Sequence, residues 1–352
     1  MNKEIKIGNK IISKDSPTFF IAEMSGNHNM DFDRAVEIVK AVKEAGADAI
    51  KLQTYTADTI TLDCDDPCFR LEQDALWDGM ILHKLYQEAY TPWEWQPKLK
   101  KIADELGIIL FSSPFDLTSV DFLEEMDVPA YKVASSEIND IPLLKKIAKT
   151  GKPIIISTGI AYMEDIELAL RTCKEAGNEN VILLKCSTAY PAPYEEINLK
   201  TIPNMAETFD CIVGLSDPTM GSAVSGAGVA VGAKVIEKHL TLRRSDGGVD
   251  SAFSMEPEEF REMVDNVRII EKALGKATYE LTEKQEKSRK YSRSLFVAKD
   301  MKAGDVFTPE NLRSVRPGCG LHTKYYEELL GKRITKEAKL GTPMSWELVD
   351  FE

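Results

Sequence analysis

Short runs of apolar residues recur along this chain, and each run ends in polar residues at its C-terminal side. Most runs are followed by a segment with the spacing of an amphipathic helix. Eight strand-then-helix units in succession predict a parallel (β/α)8 TIM barrel of the α/β class, whose active site is built just past the strand ends. The predicted strands are Phe19–Glu23, Ala49–Gln53, Ile108–Ser112, Ala130–Val133, Ile154–Ser157, Val181–Cys186, Ile212–Leu215 and Val235–His239.

The predicted helices have apolar stripes with recognisable ends. In the first helix, apolar residues follow the i, i+3, i+4, i+7 spacing from Ala35 to Val42. Asp31 or Asp33 can cap its start, and Gly46 can end it. Residues 257–275, which begin with proline and stop at glycine, predict the last barrel helix.

The connection between the second and third predicted strands is about twice as long as the others. It holds three of the four tryptophans, and residues 97–106 within it predict the second crossover helix. The rest lies on the active-site side of a barrel, where long loops tend to serve substrates. A substrate lid and a packed surface excursion with its own aromatic core are equally compatible with this composition.

Composition predicts a second, smaller module after the barrel. Residues 1–280 form the predicted barrel domain, and residues 281–290 are polar enough for a linker. Residues 291–352 contain short strand patterns and turns. A module of this size has a thin core, so it is expected to lean on another surface.

Bulk composition excludes several classes of protein. The chain has 352 residues with a net charge of −13, and no basic stripe offers a nucleic-acid interface. It has no apolar stretch near the roughly 20 residues of a membrane helix, and its N-terminus lacks the apolar region of a secretory signal. The six cysteines are scattered, which favours reduced thiols over a zinc site. We therefore expect a cytoplasmic protein that binds neither membranes nor nucleic acid.

Three lysines lie inside apolar strands, where an unpaired ammonium group is costly to bury. They are Lys51, Lys132 and Lys185. A shared anionic ligand at one end of the barrel would explain all three. The alternative is a set of salt bridges to Glu23, Glu137 and Glu237.

Hydroxyl residues follow four of the same strands. Each hydroxyl alone is more often a helix cap, but their recurrence indicates a site for phosphate or carboxylate. Two histidines, His28 and His239, also lie at strand ends, and strand alternation places His239 on the same face as Glu237. The hydroxyl motifs are Ser112–Ser113, Ser135–Ser136, Ser157–Thr158 and Ser187–Thr188.

The strand-end motifs resemble those of the N-acylneuraminate (sialic acid) synthase family. IAEMSGNHN, AIKLQTY, FSSPFD, AYKVASSE, ISTGI, CSTAYP, GLSD and IEKHLTL occur in that family's order. The resemblance implies condensation of phosphoenolpyruvate with an amino-sugar aldehyde. Residues 299–321 are similar to the antifreeze-like (SAF, β-clip) domain that follows the same barrel.

Within that family, residues 75–96 and 245–260 resemble the branch that makes pseudaminic acid. The implied reaction joins phosphoenolpyruvate to 2,4-diacetamido-2,4,6-trideoxy-L-altrose and releases phosphate. A sialic or legionaminic acid synthase, which takes an N-acetylmannosamine-type sugar, keeps the same chemistry and is the nearest alternative. A Schiff-base aldolase and a barrel that binds without catalysis are the more distant ones.

The resemblance also implies roles for individual residues. Glu23 would place the attacking water, and Lys51 and Gln53 would face the reacting centre. Arg316 would reach the barrel mouth of a partner subunit, which implies a domain-swapped homodimer. Phosphoenolpyruvate would be held by Ser113, Lys132, Ser135, Ser157 and Thr188, and the sugar by Phe115, Glu137, Tyr190 and Asp250, with Ser216 as a further substrate-binding residue.

The family pattern implies a divalent metal ion, Mn²⁺ or Mg²⁺, held by two histidines. His239 matches one of them, but the position after Ser216–Asp217 is Pro218, which has no ligating side-chain atom. We therefore expect His239 to hold the metal with Asp217, or with Glu23, water or substrate oxygens. The implied metal would polarise the aldehyde oxygen during attack by phosphoenolpyruvate.

Overall fold

The computed structural model describes residues 1–71, 79–188 and 192–351, which form two compact units, Met1–Gly275 and Lys276–Glu352. The first unit contains a closed barrel in which eight parallel strands pair in chain order and the last strand closes against the first. The predicted TIM barrel is therefore confirmed. The strands of this unit are β1 (Glu4–Ile7), β2 (Lys10–Ser13) and the barrel strands β3 (Phe19–Glu23), β4 (Ala49–Thr54), β5 (Ile109–Pro114), β6 (Tyr131–Val133), β7 (Ile154–Ser157), β8 (Val181–Cys186), β9 (Ile212–Ser216) and β10 (Val235–His239).

The observed barrel strands agree closely with the predicted ones. Strands β3, β7, β8 and β10 match at both ends, and the ends of the other four differ by one or two residues. Almost every residue in these strands is buried, because side chains on one face fill the barrel and those on the other face pack under helices.

Helices cover the outside of the barrel and join its strands. In the first, Asp31 accepts hydrogen bonds from the backbone N–H groups of Asp33 and Arg34, and the stripe from Ala35 to Val42 is buried as predicted. No helix in the described ranges is long and apolar enough to cross a membrane. The helices are α1 (Phe32–Glu44), α2 (Ala57–Ile60), α3 (Leu82–Ala89), α4 (Gln96–Leu106), α5 (Leu117–Glu125), α6 (Ile141–Lys149), α7 (Met163–Glu175), α8 (Thr201–Thr208), α9 (Ala223–Ala230) and α10 (Pro257–Leu274).

An N-terminal hairpin, β1–β2, covers the end of the barrel opposite the strand ends considered below. Its apolar residues Ile5, Ile7 and Ile12 belong to the barrel core. Gly8 at its turn lies against Ile109 at the start of β5, and Lys10 forms an ion pair with Asp48 just before β4. Sequence analysis did not predict this hairpin.

The long connection after β4 contains α2, α3 and the crossover helix α4. His83 on α3 is buried, and its Nε2 lies 2.8 Å from Oδ1 of Asp58 on α2. Thr91, just after α3, is also buried and lies 3.2 Å from Nε2 of His28. The first contact ties α3 to α2 within the connection, and the second ties the chain just beyond α3 to the loop after β3.

In the described part of the second unit, two short antiparallel pairs and one small helix surround a core that includes Leu295, Phe307 and Leu312. The segment 281–290, predicted as a linker, contains an exposed seven-residue helix that begins after the capping residue Thr282. Its elements are α11 (Glu283–Arg289), β11 (Ser294–Val297), β12 (Leu312–Val315), α12 (Tyr326–Leu329), β13 (Arg333–Ile334) and β14 (Val349–Asp350).

Candidate active site at the carboxyl ends of the barrel strands

Two lysines and two glutamates form a buried charged cluster at the C-terminal ends of the barrel strands. Lys51 on β4 and Lys132 on β6 are 5% and 2% exposed. Lys51 forms an ion pair with Glu23 at the end of β3. One carboxylate oxygen of Glu237 lies 3.9 Å from both lysine nitrogens. Glu237 therefore links the two lysines across the barrel interior.

The four charges strongly influence one another. Burial raises the pKa of Glu23, although Lys51 opposes this effect. Burial also acts against the charge of Glu237, but Lys132 and Lys51 outweigh it, and the pKa of Glu237 is lowered. Burial lowers the pKa of Lys132. Burial also acts to lower the pKa of Lys51, but the charges of Glu23 and Glu237 outweigh it, and the pKa of Lys51 is raised. Glu237 is therefore the carboxylate of this cluster whose ionised form is favoured, and the two lysines beside it can also bind an anionic ligand.

Hydroxyl groups from neighbouring strands surround the lysines. Nζ of Lys132 donates to Oγ of Ser157 at 2.6 Å, and Nζ of Lys51 lies 3.5 Å from Oγ of Ser113. Oγ of Ser216 donates to Glu237 at 3.4 Å. The register of the adjacent parallel strands aligns their C-terminal ends. This alignment explains why all three serines lie at the same end of the barrel. The structure therefore brings these predicted residues together.

A tight backbone approach lies beside this group. The N–H of Gly159, just after β7, donates to Oγ of Ser135 at 2.8 Å. A Cβ atom at Gly159 would lie 2.8 Å from that oxygen and 2.7 Å from Cγ2 of Thr188. Only glycine fits here, so the loops after β6, β7 and β8 meet closely at one point.

Gln53 and His239 complete the side of the cluster around Glu23. Nε2 of Gln53 donates to Glu23 and to Oγ of Ser25, both at 3.0 Å. His239 at the end of β10 pairs in register with Glu23, and its ring meets Phe253 edge-on at 5.1 Å. A positive charge on His239 would favour the ionised forms of both Glu23 and Glu237.

The remaining predicted sugar contacts lie on the rim. Asp250, in the loop after β10, accepts a hydrogen bond from the N–H of Gly26 at 3.3 Å. Phe115 follows β5 and is half-buried. Burial raises the pKa of Glu137 to about 7, although Lys132 opposes this shift. Near neutral pH, Glu137 therefore exists in both protonated and ionised forms.

The prediction that Lys185 shares an anion with Lys51 and Lys132 is wrong. Nζ of Lys185 donates to the carbonyl oxygen of Cys186, and the side chain lines a surface cavity between α7 and α8. Cys186, the next residue, pairs in register with Ser216 of β9, whose hydroxyl contacts Glu237 in the barrel interior. The interior face of β8 thus includes Cys186, and Lys185 points outward.

Asp217 is not positioned to share a metal ion with His239, which corrects the expected ligand pair. Its carboxylate lies 2.9 Å from Nζ of Lys238 and accepts hydrogen bonds from Thr219 and Ser225. Lys238 alternates with His239 along β10, so the two side chains point to opposite faces of the sheet. In the described ranges, no group of three or more His, Cys, Asp or Glu side chains is arranged to hold a metal ion.

Two predicted site residues lie elsewhere. Tyr190 lies outside the described residues. Arg316 belongs to the second unit, where it is exposed beside the turn that follows β12. The predicted role of each residue stays a prediction.

The sequence predicts Glu237 only as a salt-bridge partner, whereas the structure places it between the two lysines of the cluster. The alternation that puts Glu237 and His239 on one face was a usable signal. A carboxylate two positions before the end of an apolar strand requires partners in the barrel interior. The lysines on β4 and β6 are those partners.

Comparison with known proteins agrees with this geometry. The pseudaminic acid synthase of Campylobacter jejuni subsp. jejuni serotype O:2 is 45% identical over 337 residues, which cover 96% of this chain and 97% of that protein. The N,N'-diacetyllegionaminic acid synthase of the same organism is 38% identical over 326 residues, which cover 92% of this chain and 97% of that protein.

A solved structure shares the fold. The N-acetylneuraminic acid (sialic acid) synthetase of Leptospira borgpetersenii serovar Hardjo-bovis, in complex with citrate, superimposes with a TM-score of 0.72 at 30% identity. The match covers 81% of this chain and 94% of that chain. The SAF domain matches residues 292–350, which confirms the antifreeze-like module. Since the NeuB family matches residues 38–279 as well, the chain belongs to the NeuB family.

Proposed function

We propose that this protein is a pseudaminic acid synthase, a transferase that forms a C–C bond between phosphoenolpyruvate and 2,4-diacetamido-2,4,6-trideoxy-L-altrose. The reaction consumes water and releases pseudaminic acid and phosphate. The observation that carries the proposal is the pair of buried lysines, Lys51 and Lys132, which share a single carboxylate oxygen of Glu237. The higher identity to the pseudaminic acid synthase than to the legionaminic acid synthase supports this choice of sugar.

Phosphoenolpyruvate suits the charge of this cluster. Its phosphate and carboxylate carry the negative charge that the two lysines need in a site shielded from water. Lys132 and Ser157 are already 2.6 Å apart, so one anionic oxygen can accept from both. Ser113, Ser135 and Thr188 follow neighbouring strands and supply further donors.

The chemistry then follows from the Lys51–Glu23 pair. C3 of phosphoenolpyruvate attacks the aldehyde carbon, the new C–C bond forms, and Lys51 gives a proton to the aldehyde oxygen. Water adds to C2 and gives a proton to Glu23, whose raised pKa suits a general base. The bond between C2 and the oxygen of the phosphate group then breaks. Phosphate leaves with the proton of the C2 hydroxyl, and C2 becomes the keto carbon of the product. Glu23 then returns its proton to Lys51, its ion-pair partner, which restores both residues for the next cycle.

A requirement for Mn²⁺ or Mg²⁺ stays a prediction, and no step above depends on it. His239 and the carboxylate of Glu23, paired in register, are two protein groups that Mg²⁺ or Mn²⁺ accepts when water and substrate oxygens complete the shell. The test is phosphate release after treatment with a chelator and again after each metal is restored. Full activity in the chelated protein would contradict the requirement.

The test of the proposed function is a comparison of three sugars. Phosphate release from phosphoenolpyruvate is measured with the altrose derivative, the legionaminic acid precursor and N-acetylmannosamine, with Mn²⁺ present. We expect the altrose derivative to give the highest kcat/KM and Glu23→Gln to abolish turnover. Preference for either other sugar would support the alternative, a sialic or legionaminic acid synthase.

A Schiff-base aldolase is the second candidate, because burial lowers the pKa of Lys132 and favours a nucleophilic amine. Borohydride treatment in the presence of pyruvate separates the two reactions. Mass spectrometry would find a covalent adduct on Lys132 of an aldolase and none on a synthase. The 2.6 Å contact of Lys132 with Ser157 supports a binding role instead.

We further propose that the protein acts in the cytoplasm as a domain-swapped homodimer. Phosphoenolpyruvate is a cytoplasmic metabolite, and all six cysteines are free thiols, as expected in a reducing compartment. Arg316 of each subunit would complete the anionic site of the other barrel. The oligomeric state follows from sedimentation analysis, and a monomer that retains full activity would rule out this arrangement.

A further inference from the structure

Three aromatic side chains line one side of the candidate site, and two of them have no role in the reaction proposed above. Tyr55 follows β4, is 2% exposed, and meets Phe115 edge-on with ring centroids 5.1 Å apart. Tyr86 on α3 also meets Tyr55 edge-on, with ring centroids 5.6 Å apart. We call Tyr55, Tyr86 and Phe115 the aromatic wall.

The aromatic wall stands at the strand ends that form the candidate site, because Tyr55 directly follows β4 and Phe115 directly follows β5. Burial raises the pKa of Tyr55, and the charges of Asp250 and Glu23 add to this effect. Burial likewise raises the pKa of Tyr86, with a further contribution from Glu137. The wall therefore lies within electrostatic range of three site carboxylates that come from three different strand ends.

Helix α3 holds Tyr86 in place. The His83–Asp58 contact anchors the helix three residues before Tyr86, and the Thr91–His28 contact anchors the chain just beyond its end. A Cβ atom at Gly26 would lie 3.4 Å from the carbonyl oxygen of Ala89, so the end of the helix also touches the loop after β3. Tyr86 is thus presented by a fixed element.

The tyrosine hydroxyls leave hydrogen-bonding capacity for a ligand. Within residues 1–71, 79–188 and 192–351, neither the Tyr55 nor the Tyr86 hydroxyl makes a hydrogen bond. A largely buried tyrosine normally places its hydroxyl against a polar partner. A polar group of a substrate, such as an acetamido oxygen, can serve as that partner while the rings contact its methyl group.

We propose that Tyr55 and Tyr86 select sugars by their methyl groups. This inference rests on the proposed function. The altrose derivative carries two acetamido methyls and a terminal methyl, whereas N-acetylmannosamine carries one acetamido methyl and a terminal hydroxymethyl. An apolar ring surface favours the first sugar and leaves the extra hydroxyl of the second without a partner.

The test uses Tyr86→Ala, with Tyr86→Phe to retain the ring. Gln87→Ala is the matched control, because Gln87 is the exposed neighbour on the same helix. For Tyr86→Ala we expect kcat/KM for the altrose derivative to fall about tenfold more than kcat/KM for N-acetylmannosamine, the effect of one apolar contact. Tyr86→Phe and Gln87→Ala should retain the preference of the wild type, and KM for phosphoenolpyruvate should not change.

Equal losses for both sugars, or a changed KM for phosphoenolpyruvate, would overturn the role of the wall while leaving the synthase reaction intact. If the wild type turns over no sugar, the proposed function fails, and calorimetric titration with each sugar still decides the inference. Weaker binding of the altrose derivative to Tyr86→Ala, but not to Gln87→Ala, would support the wall. Unchanged binding would refute it.

Discussion

Glu237 is the residue on which the charge balance of the site depends. It is 6% exposed, and one of its oxygens serves both Lys51 and Lys132. A buried carboxylate of this kind persists because its two partners offset the cost of removing it from water. The same residue limits the positive charge of the site, because its carboxylate lies close to both lysines.

Replacing Glu237 should therefore destabilise the protein strongly. In Glu237→Gln, Lys132 loses its nearest opposite charge, and Lys51 retains only Glu23. We expect the free energy of unfolding to fall by about 3 kcal/mol, the usual cost of breaking a buried pair. Urea denaturation at neutral pH measures this loss.

A surface pair provides the control for that prediction. Glu167 and Arg171 lie one turn apart on α7 with Nη1–Oε1 at 2.6 Å, and both side chains are more than half exposed. Glu167→Gln should cost less than about 1 kcal/mol. A similar small loss in Glu237→Gln would mean that the carboxylate does not stabilise the lysines.

Glu137 should make stability depend on pH. Its pKa is raised from 4.5 to about 7, so between these values the folded protein binds more protons than the unfolded chain. Stability contributed by the protonated form is present at low pH and lost as pH rises through about 7. Since each pKa unit corresponds to about 1.4 kcal/mol, the loss is at most about 3.5 kcal/mol.

Glu137→Gln should remove this part of the pH dependence. Relative to the wild type, the variant should gain stability as pH rises from 4.5 to 8. Urea denaturation at both pH values measures the difference. Glu125→Gln, which removes an exposed carboxyl group, is the control variant. The interpretation fails if Glu137→Gln behaves like that control.

At the level of elements, the barrel depends on close strand packing at Gly214 on β9. A Cβ atom there would lie 2.4 Å from the carbonyl oxygen of Val235 on β10 and 2.6 Å from Cδ2 of Leu184 on β8. Because one of these neighbours is backbone, the strands must move apart to admit a methyl group. We expect Gly214→Ala to lower the free energy of unfolding by about 2 kcal/mol, the typical cost of overpacking.

Gly228 on α9 offers the contrasting case. A Cβ atom there would lie 2.9 Å from Cδ2 of Leu215, which is the far end of a flexible side chain. Alanine also favours the helix by up to about 1 kcal/mol over glycine. Thermal unfolding should thus show Gly228→Ala close to the wild type and Gly214→Ala well below it. Equal melting temperatures for the two variants would mean that β9 and β10 can separate without cost.

Periodicity and polarity were sufficient to predict the barrel strands, because each strand is an apolar run with an abrupt polar end. They were not sufficient to decide which face of a strand points inward. Strands of a parallel barrel are buried on both faces, so apolar neighbours do not distinguish the interior from the helix side. Lys185 and Asp217 were both misplaced for this reason, and each has its partner on the outer side.

Other elements carried too little signal. The hairpin β1–β2 is two strands of four residues, and such a pair gains its stability from packing onto the barrel rather than from its own pattern. The connection containing α3 was compatible with a lid or a packed excursion, because both need aromatic residues. Its contacts through His83 and Thr91 are features of tertiary structure that a sequence does not display.

For the whole molecule, the charge distribution separates the site from the surface. The chain has 57 acidic and 44 basic residues, so its overall field repels an anionic substrate. Binding of phosphoenolpyruvate must then rely on short-range contacts with buried lysines. If the proposed homodimer forms, an arginine from the partner subunit would add a further short-range contact for the anion.

Whether Arg316 acts within its own subunit or in that of its partner can be decided by mixing two inactive variants. Lys132→Ala removes a buried lysine of the barrel, and Arg316→Ala removes the arginine of the second unit. Each variant alone should have very low activity. If the arginine crosses between subunits, a mixed dimer contains one barrel with both defects and one barrel with neither.

Denaturing and refolding the two variants together at equal amounts should therefore restore about a quarter of the wild-type activity, because half of the dimers are mixed and each has one intact site. The separately refolded variants, combined just before the assay, control for incomplete inactivation. If each arginine serves its own barrel, every site in the mixture keeps one defect and no activity returns. Activity that returns after joint refolding, but not after mixing of the separately refolded variants, would thus assign the arginine to the neighbouring subunit. If no activity returns after joint refolding, the domain-swapped arrangement is excluded.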